Sequence, residues 1–169
     1  SSKKQFDCIT TVSGGKDGSY VTYNLKHKHK MNPLAVTIRP VTETELGIKN
    51  VQSFVNSGYD HIHVTPNHEA MRVLNKIGFI EMGFPYYGWL IAIHTAVMRV
   101  AVQFNIPLVF YSEDGEMEYG GNINKSHKNE IYGVDYMLGA YLESGFDKVI
   151  KKSNLTKQQL YWFNFPPKE

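Results

Sequence analysis

Short apolar runs alternate with amphipathic stretches through the first two thirds of the chain. Phe6–Val12 is continuous and rich in β-branched residues, as expected of a strand buried on both faces. Pro33–Ile38 and Tyr59–Thr65 predict a second and a third strand. Between them the apolar spacing lengthens to three and four. Val21 and Leu25 predict a helix from about Ser19 to Lys28, running out into Lys26-His27-Lys28-His29-Lys30, a solvated end with dipole-friendly cations rather than a metal site. Ile48, Val51 and Val55 predict a helix to about Asn56, opened by a Thr42-x-x-Glu45 capping box and stopped by Gly58. Met71, Leu74 and Ile77 predict a third helix, capped by Asn67 and closed by Gly78.

The aromatic segment Gly83–Trp89 interrupts this alternation and reads as a loop. The longest helix follows, about Trp89 to Phe104, apolar nearly all round except for Thr95, Arg99 and Gln103 at i, i+4 and i+8. Asn105 and Pro107 end it, and Leu108–Tyr111 predicts a fourth strand. Residues 112–131 form a long acidic, glycine-bearing loop, and helical pieces are expected over 134–144, 146–152 and 156–163. Alternating strands and helices imply an α/β fold with a doubly wound parallel sheet, Rossmann-like, strand order 3-2-1-4 with room for a fifth. The chain is expected to be one domain over 1–169, with 133–169 a helical C-terminal extension. Four strands are few for this architecture, so the intact protein is expected to be longer.

Composition changes this picture little. With 169 residues, 42% apolar and 20% charged, the chain suits a single globular domain. A net charge of +2 does not advertise a nucleic-acid face. Cys8 stands alone, which removes a disulfide framework and a cysteine-based zinc site and is compatible with the cytoplasm. No 18-residue apolar run and no signal-like start appear, so membrane insertion is not expected.

The candidate chemistry begins at Ser13-Gly14-Gly15-Lys16-Asp17-Gly18-Ser19, between the first strand and its helix. A strand that turns through glycines into a helix N-terminus cradles phosphate, with backbone N–H groups and the helix dipole facing the charge. The spacings G-x-x-x-x-G-K-[ST] and G-x-G-x-x-G are both absent. In such a sheet the ligand crevice opens where strand order reverses, between strands one and four. There the glycine loop would meet the Ile38-Arg39 end of strand two and Ser112-Glu113-Asp114-Gly115. Lys16 would offset phosphate charge, while Asp17 or Asp114 could hold Mg²⁺. The plainer readings stay beside these: Asp17 as a dipole-complementing carboxylate, Glu113 and Asp114 as solvated loop, and Arg99 as part of an exposed stripe. His61 and His63 share a strand face, where a metal pair and plain exposure are the two readings, exposure being the commoner for polar strand-end residues. Tyr86, Tyr87 and Trp89 suit either stacking on a ligand or core packing.

Ser13, Gly14, Gly15, Asp17 and Ser19 resemble the SGGxDS signature of the PP-loop ATP pyrophosphatases, adenine nucleotide alpha hydrolase-like proteins that split ATP between the α and β phosphates. Gly18 departs from it, standing where most members have serine. Phe79–Trp89, the Arg99 helix and Glu113-Asp114-Gly115-Glu116-x-Glu118-Tyr119-Gly120-Gly121 resemble the N-acetyl sugar amidotransferases of surface-polysaccharide biosynthesis, over about Phe6 to Pro167. The resemblance implies an enzyme that adenylates a sugar acetamido oxygen with ATP and Mg²⁺, releasing pyrophosphate. Ammonia from a glutaminase subunit would then displace AMP to leave an acetamidino group, as in lipopolysaccharide biosynthesis. It implies ATP contacts at Ser13, Gly14, Gly15, Asp17, Gly18, Ser19, Ile38 and Ser112, and catalytic roles for Lys16, Asp17, Asp114 and Arg99. Glu113, Glu116, Glu118 and Tyr119 would meet the sugar. Two other readings stay open: a PP-loop tRNA-modifying enzyme, and a nucleotide-binding module without catalysis.

Overall fold

The computed structural model describes residues 5–112 and 134–167. Four strands, β1 (Cys8–Thr11), β2 (Pro33–Ile38), β3 (His61–Val64) and β4 (Val109–Phe110), form one parallel sheet in the order β3-β2-β1-β4. The expected α/β class and strand order hold. β2 has the expected bounds and is buried throughout, as its unbroken apolar run requires.

Helices α1 (Lys16–His27) and α2 (Glu45–Asn56) cross between β1, β2 and β3. They cover one face: Thr22 of α1 meets Thr10 of β1 at 2.9 Å, and Phe54 of α2 packs with Val12 and Ala35. Helices α3 (His68–Met82) and α4 (Tyr87–Gln103) lead back to β4 and cover the other face, where Ile9, Leu34, Val36, Leu74, Ile91 and Val97 form the main core. The sheet is therefore doubly wound, with its reversal between β1 and β4.

Several boundaries differ from expectation for physical reasons. α1 begins three residues before Ser19, because Lys16 and Asp17 are exposed and leave no apolar period to mark that turn. The cap of α2 is Thr44, whose hydroxyl accepts from Gly47 N at 3.0 Å, so the Thr42 capping box is not the one used. Asn67 caps α3 as expected, accepting from Ala70 N at 2.8 Å. Gly78 does not end α3; the helix continues to Gly83, which takes the left-handed conformation at φ 71°. A Cβ at Gly78 would stand 2.1 Å from that of Tyr87, so this glycine lets α3 and α4 approach closely. Tyr87 is accordingly a core residue, 1% exposed, its hydroxyl donating to Leu142 O.

Beyond residue 133, α5 (Val134–Tyr136) passes into a π-helical turn, Met137–Tyr141, then α6 (Phe146–Ser153) and a 3₁₀ turn, Tyr161–Phe163. These pieces are more than an appendage. Leu142, Val149, Leu160 and Phe163 belong to the main core. No helix among the described residues is long and apolar enough to cross a membrane.

Candidate nucleotide site at the carboxyl edge of the sheet

The glycine turn leaves the carboxyl end of β1, where the fold places its reversal. Gly14 has φ 86°, a conformation side chains resist, and a Cβ there would lie 3.0 Å from Gly47 O and 3.1 Å from Val51 Cγ2 of α2. Gly15 is the N-cap of α1 with extended backbone and no side-chain cap among the described residues, whereas Thr44 and Asn67 cap α2 and α3. The first-turn amides of α1 thus open onto the loop.

Gly18 is buried and faces inward. A Cβ on it would come within 2.6 Å of Thr11 O, 3.1 Å of Val12 Cα and 3.4 Å of Ser112 Oγ. Glycine at this position therefore allows the close seating of α1 on β1, and a side chain here would point at β1 and not into the mouth of the loop. Ser112 closes the other side: its hydroxyl donates to Thr11 O at 3.2 Å and its N–H to Thr11 Oγ1 at 3.4 Å. Gly18 and Ser112 are brought together at the reversal, as the sequence implied.

Ser13, Gly15, Lys16 and Asp17 face solvent there, with Lys16 Nζ 4.0 Å from Asp17 Oδ1, a hydrated pair of little structural worth. The hydroxyl of Ser19 donates back to Gly15 O at 2.9 Å. Ile38 lies at the same edge, but its carbonyl accepts from Trp89 Nε1 at 3.3 Å. A cleft of about 250 Å³ opens beside it, between Arg39, Pro40 and Val41 after β2 and Thr65, Pro66 and His68 after β3. Arg39 is held at its rim by Glu43 at 2.7 Å.

Arg99 does not join this group. Its Nε donates to Asn164 O at 2.7 Å and its Nη2 to Phe165 O at 3.3 Å, with the guanidinium 4.3 Å from the Tyr161 ring centroid. It sits ten residues beyond Trp89 on α4, about 15 Å along the axis towards the amino ends of the strands. The stripe it shares with Thr95 and Gln103 is a solvent face only at Gln103: Thr95 is fully buried, its hydroxyl proton shared between Ile91 O and Trp162 O. Thr95 and Arg99 hold the C-terminal segment down.

His61 is also committed, its Nε2–H directed at Thr37 Oγ1 (2.8 Å) while that hydroxyl donates to Val12 O. Burial, and secondarily His63, lower its pKa. Cys8 is fully buried, and desolvation with the Asp7 charge pushes its thiol up to about 11, far from a reactive thiolate. Among the described residues no cluster of three metal-ligating side chains occurs. Asp114, Glu113, Glu116, Glu118 and Tyr119 lie outside the described residues.

Two residues not expected from the sequence stand out, His94 and Tyr111. His94 of α4 is 5% exposed, its ring centroid 5.5 Å from that of Tyr111 and 5.1 Å from that of Tyr141. Neither His94 Nδ1 nor the Tyr111 hydroxyl, both buried, has a hydrogen-bond partner among the described residues. Desolvation lowers the His94 pKa to about 4 and raises that of Tyr111. A lone histidine in the apolar run Leu90–Val97 was the available signal. No family model and no curated protein matches the chain.

Proposed function

We propose that the protein is an ATP-dependent, AMP-forming amidotransferase of the PP-loop type, acting on an N-acetyl sugar. One observation carries the reading: an uncapped helix N-terminus behind a glycine turn, packed against Ser112 at the β1/β4 reversal. ATP is a substrate here, its phosphates lying over Ser13–Gly15 and the first-turn amides of α1, with Lys16 nearby. Backbone donors suit this chemistry, since phosphoryl-type displacements need charge stabilisation more than a side-chain nucleophile. Asp17 is the described carboxylate that would hold Mg²⁺ there, and the metal would supply charge neutralisation at the phosphates.

An amide oxygen leaves poorly until it is adenylated, so the sugar acetamido oxygen takes AMP and pyrophosphate departs. Ammonia, delivered by a glutaminase partner in the cell, adds to the activated carbon and AMP departs. Arg99 takes no part, being bound to Asn164 and Phe165. A sulfur-transferring tRNA enzyme is the weaker reading, because the single thiol, Cys8, is buried and protonated.

The test is product analysis with ATP, Mg²⁺, ammonium chloride and a panel of free and nucleotide-linked N-acetyl sugars. AMP and pyrophosphate should form only when a sugar is present. ADP and inorganic phosphate as products, or no turnover with any sugar despite ATP binding, would overturn the proposal.

A further inference from the structure

Two neighbouring side chains each carry a buried polar atom without a partner among the described residues: Nδ1 of His94, from the middle of α4, and the hydroxyl of Tyr111, one residue beyond β4. Their rings are 5.5 Å apart at an interplanar angle of 47°, and Tyr141 of the π-helical turn closes against the histidine at 5.1 Å. Leaving such groups unmatched forfeits the hydration they had in the unfolded chain, so native interiors supply a partner. The place matters as much as the chemistry. Tyr111 is joined directly to Ser112, which is bonded to Thr11 at the end of β1. His94 lies five residues, about 7 Å along the helix, below Trp89 at the carboxyl edge. The pair therefore sits immediately beneath the β1/β4 crevice, on the α4 side of the sheet.

We infer that His94 and Tyr111 form a holding site for one small neutral molecule that both donates and accepts a hydrogen bond, and that this guest is ammonia. The inference rests on the amidotransfer reading for the identity of the guest. Ammonia satisfies both atoms at once, donating N–H to His94 Nδ1 and accepting the Tyr111 phenolic proton on its lone pair. Water shares that chemistry, so the selectivity of the site is against the charged ammonium ion. A neutral imidazole and a phenol bring no negative charge to offset an ammonium ion, so desolvated NH₃ is the form that enters. No bond is made or broken at the site; it holds the nucleophile below the crevice in which the activated carbon would lie.

Two measurements on the full chain separate the possibilities. In the first, ¹⁵N shifts of the His94 ring are followed while ammonium chloride is titrated at pH 8.5, with sodium chloride at equal ionic strength as control. A saturable shift of Nδ1 in the wild type, lost in Tyr111→Phe, is expected; no shift, or an equal shift with sodium chloride, overturns the site, and water alone then occupies it. In the second, Tyr111→Phe and His94→Gln are expected to raise KM for ammonia about tenfold, the loss of one hydrogen bond, with KM for ATP unchanged. Folded variants with an unchanged KM for ammonia overturn the inference. A saturable shift in a protein that never forms pyrophosphate upholds the holding site and removes the amidotransfer reading instead.

Discussion

The indole Nε1 of Trp89 donates to the carbonyl oxygen of Ile38 across 3.3 Å, tying the first turn of α4 to the end of β2. Ile38 is one of the positions where the resemblance implies an ATP contact, and the base is the part of ATP whose amino group can donate to a backbone carbonyl. If the base engages that strand end, the indole must yield or re-pack. Emission from Trp89 should therefore change as ATP saturates the protein, recorded in a Trp162→Phe background that leaves Trp89 as the only indole. Emission that stays constant at saturating ATP would place the base elsewhere, the cleft beyond Arg39 and Pro40 being the nearest alternative.

Gly18 offers a sharper test of how the loop is built. Its missing side chain accommodates Thr11 O at 2.6 Å, a backbone atom that cannot swing aside. Gly18→Ser, which introduces the residue usual in PP-loop proteins, should destabilise the protein by about 1–3 kcal/mol through overpacking. Gly15→Ala should cost much less, since a Cβ there meets only Ser13 Oγ at 3.4 Å. Thermal denaturation of the two variants decides it. A Gly18→Ser protein as stable as the wild type would mean that α1 is not seated on β1 as described.

Arg99→Ala should unsettle the C-terminal segment and spare the nucleotide. The substitution strips a guanidinium from two carbonyls and from the face of Tyr161, a loss of about 1–3 kcal/mol. Faster amide exchange over residues 160–165 with an unchanged Kd for ATP is the expected result. A large loss of ATP affinity in a folded variant would return Arg99 to the site.

These cases show what the linear pattern carried and what it hid. The run Pro33–Ile38 is apolar at every position but Thr37, so a doubly buried strand was legible to the residue, and strand–helix alternation was enough for the order β3-β2-β1-β4. The glycine turn was legible because Gly14 and Gly15 follow a strand directly. Gly78 misled, because a helix-ending glycine and a glycine cut away for Tyr87 look alike until the partner is known. Arg99 misled for the same reason: its partners lie more than sixty residues away, at Asn164 and Phe165. His94 and Tyr111 were silent because an unsatisfied buried atom is a property of packing, which no periodicity records.

Glu81 ties α3 to α6, with Lys148 Nζ at 2.8 Å and Lys152 Nζ at 2.6 Å, and the hydrogen bonds from these lysines lower its pKa to about 2. A carboxylate whose folded pKa is depressed stabilises the fold above its ordinary value near 4.5 and loses that contribution as pH falls towards 2. The stability difference between wild type and Glu81→Gln should therefore narrow steadily over that acid range. Near neutrality the difference should be modest and weakened by salt, because the pair is solvent-screened. Denaturant midpoints at pH 3, 5 and 7 would show it, and a constant difference across them would speak against the bridge.

His94 titrates with the same sign as Glu81 but from a different cause, burial without a charged partner. Burial holds its pKa at about 4, against 6.5 for an exposed imidazole, so between those values the unfolded chain binds a proton that the folded protein refuses. Stability must then rise with pH through that window, by up to about 1.4 kcal/mol per pH unit from this residue alone. His61, also depressed, contributes with the same sign, so the quantity to measure is the difference between wild type and His94→Gln. The variant should lack most of the slope between pH 4 and 6.5 while matching the trend of the wild type above pH 7. The reason is that a glutamine side chain has no proton to take up, so whatever the substitution costs in packing is constant across the range. Equal slopes in the two proteins would mean that the imidazole is charged in the folded state, and a charged His94 could not serve as a neutral holder for ammonia.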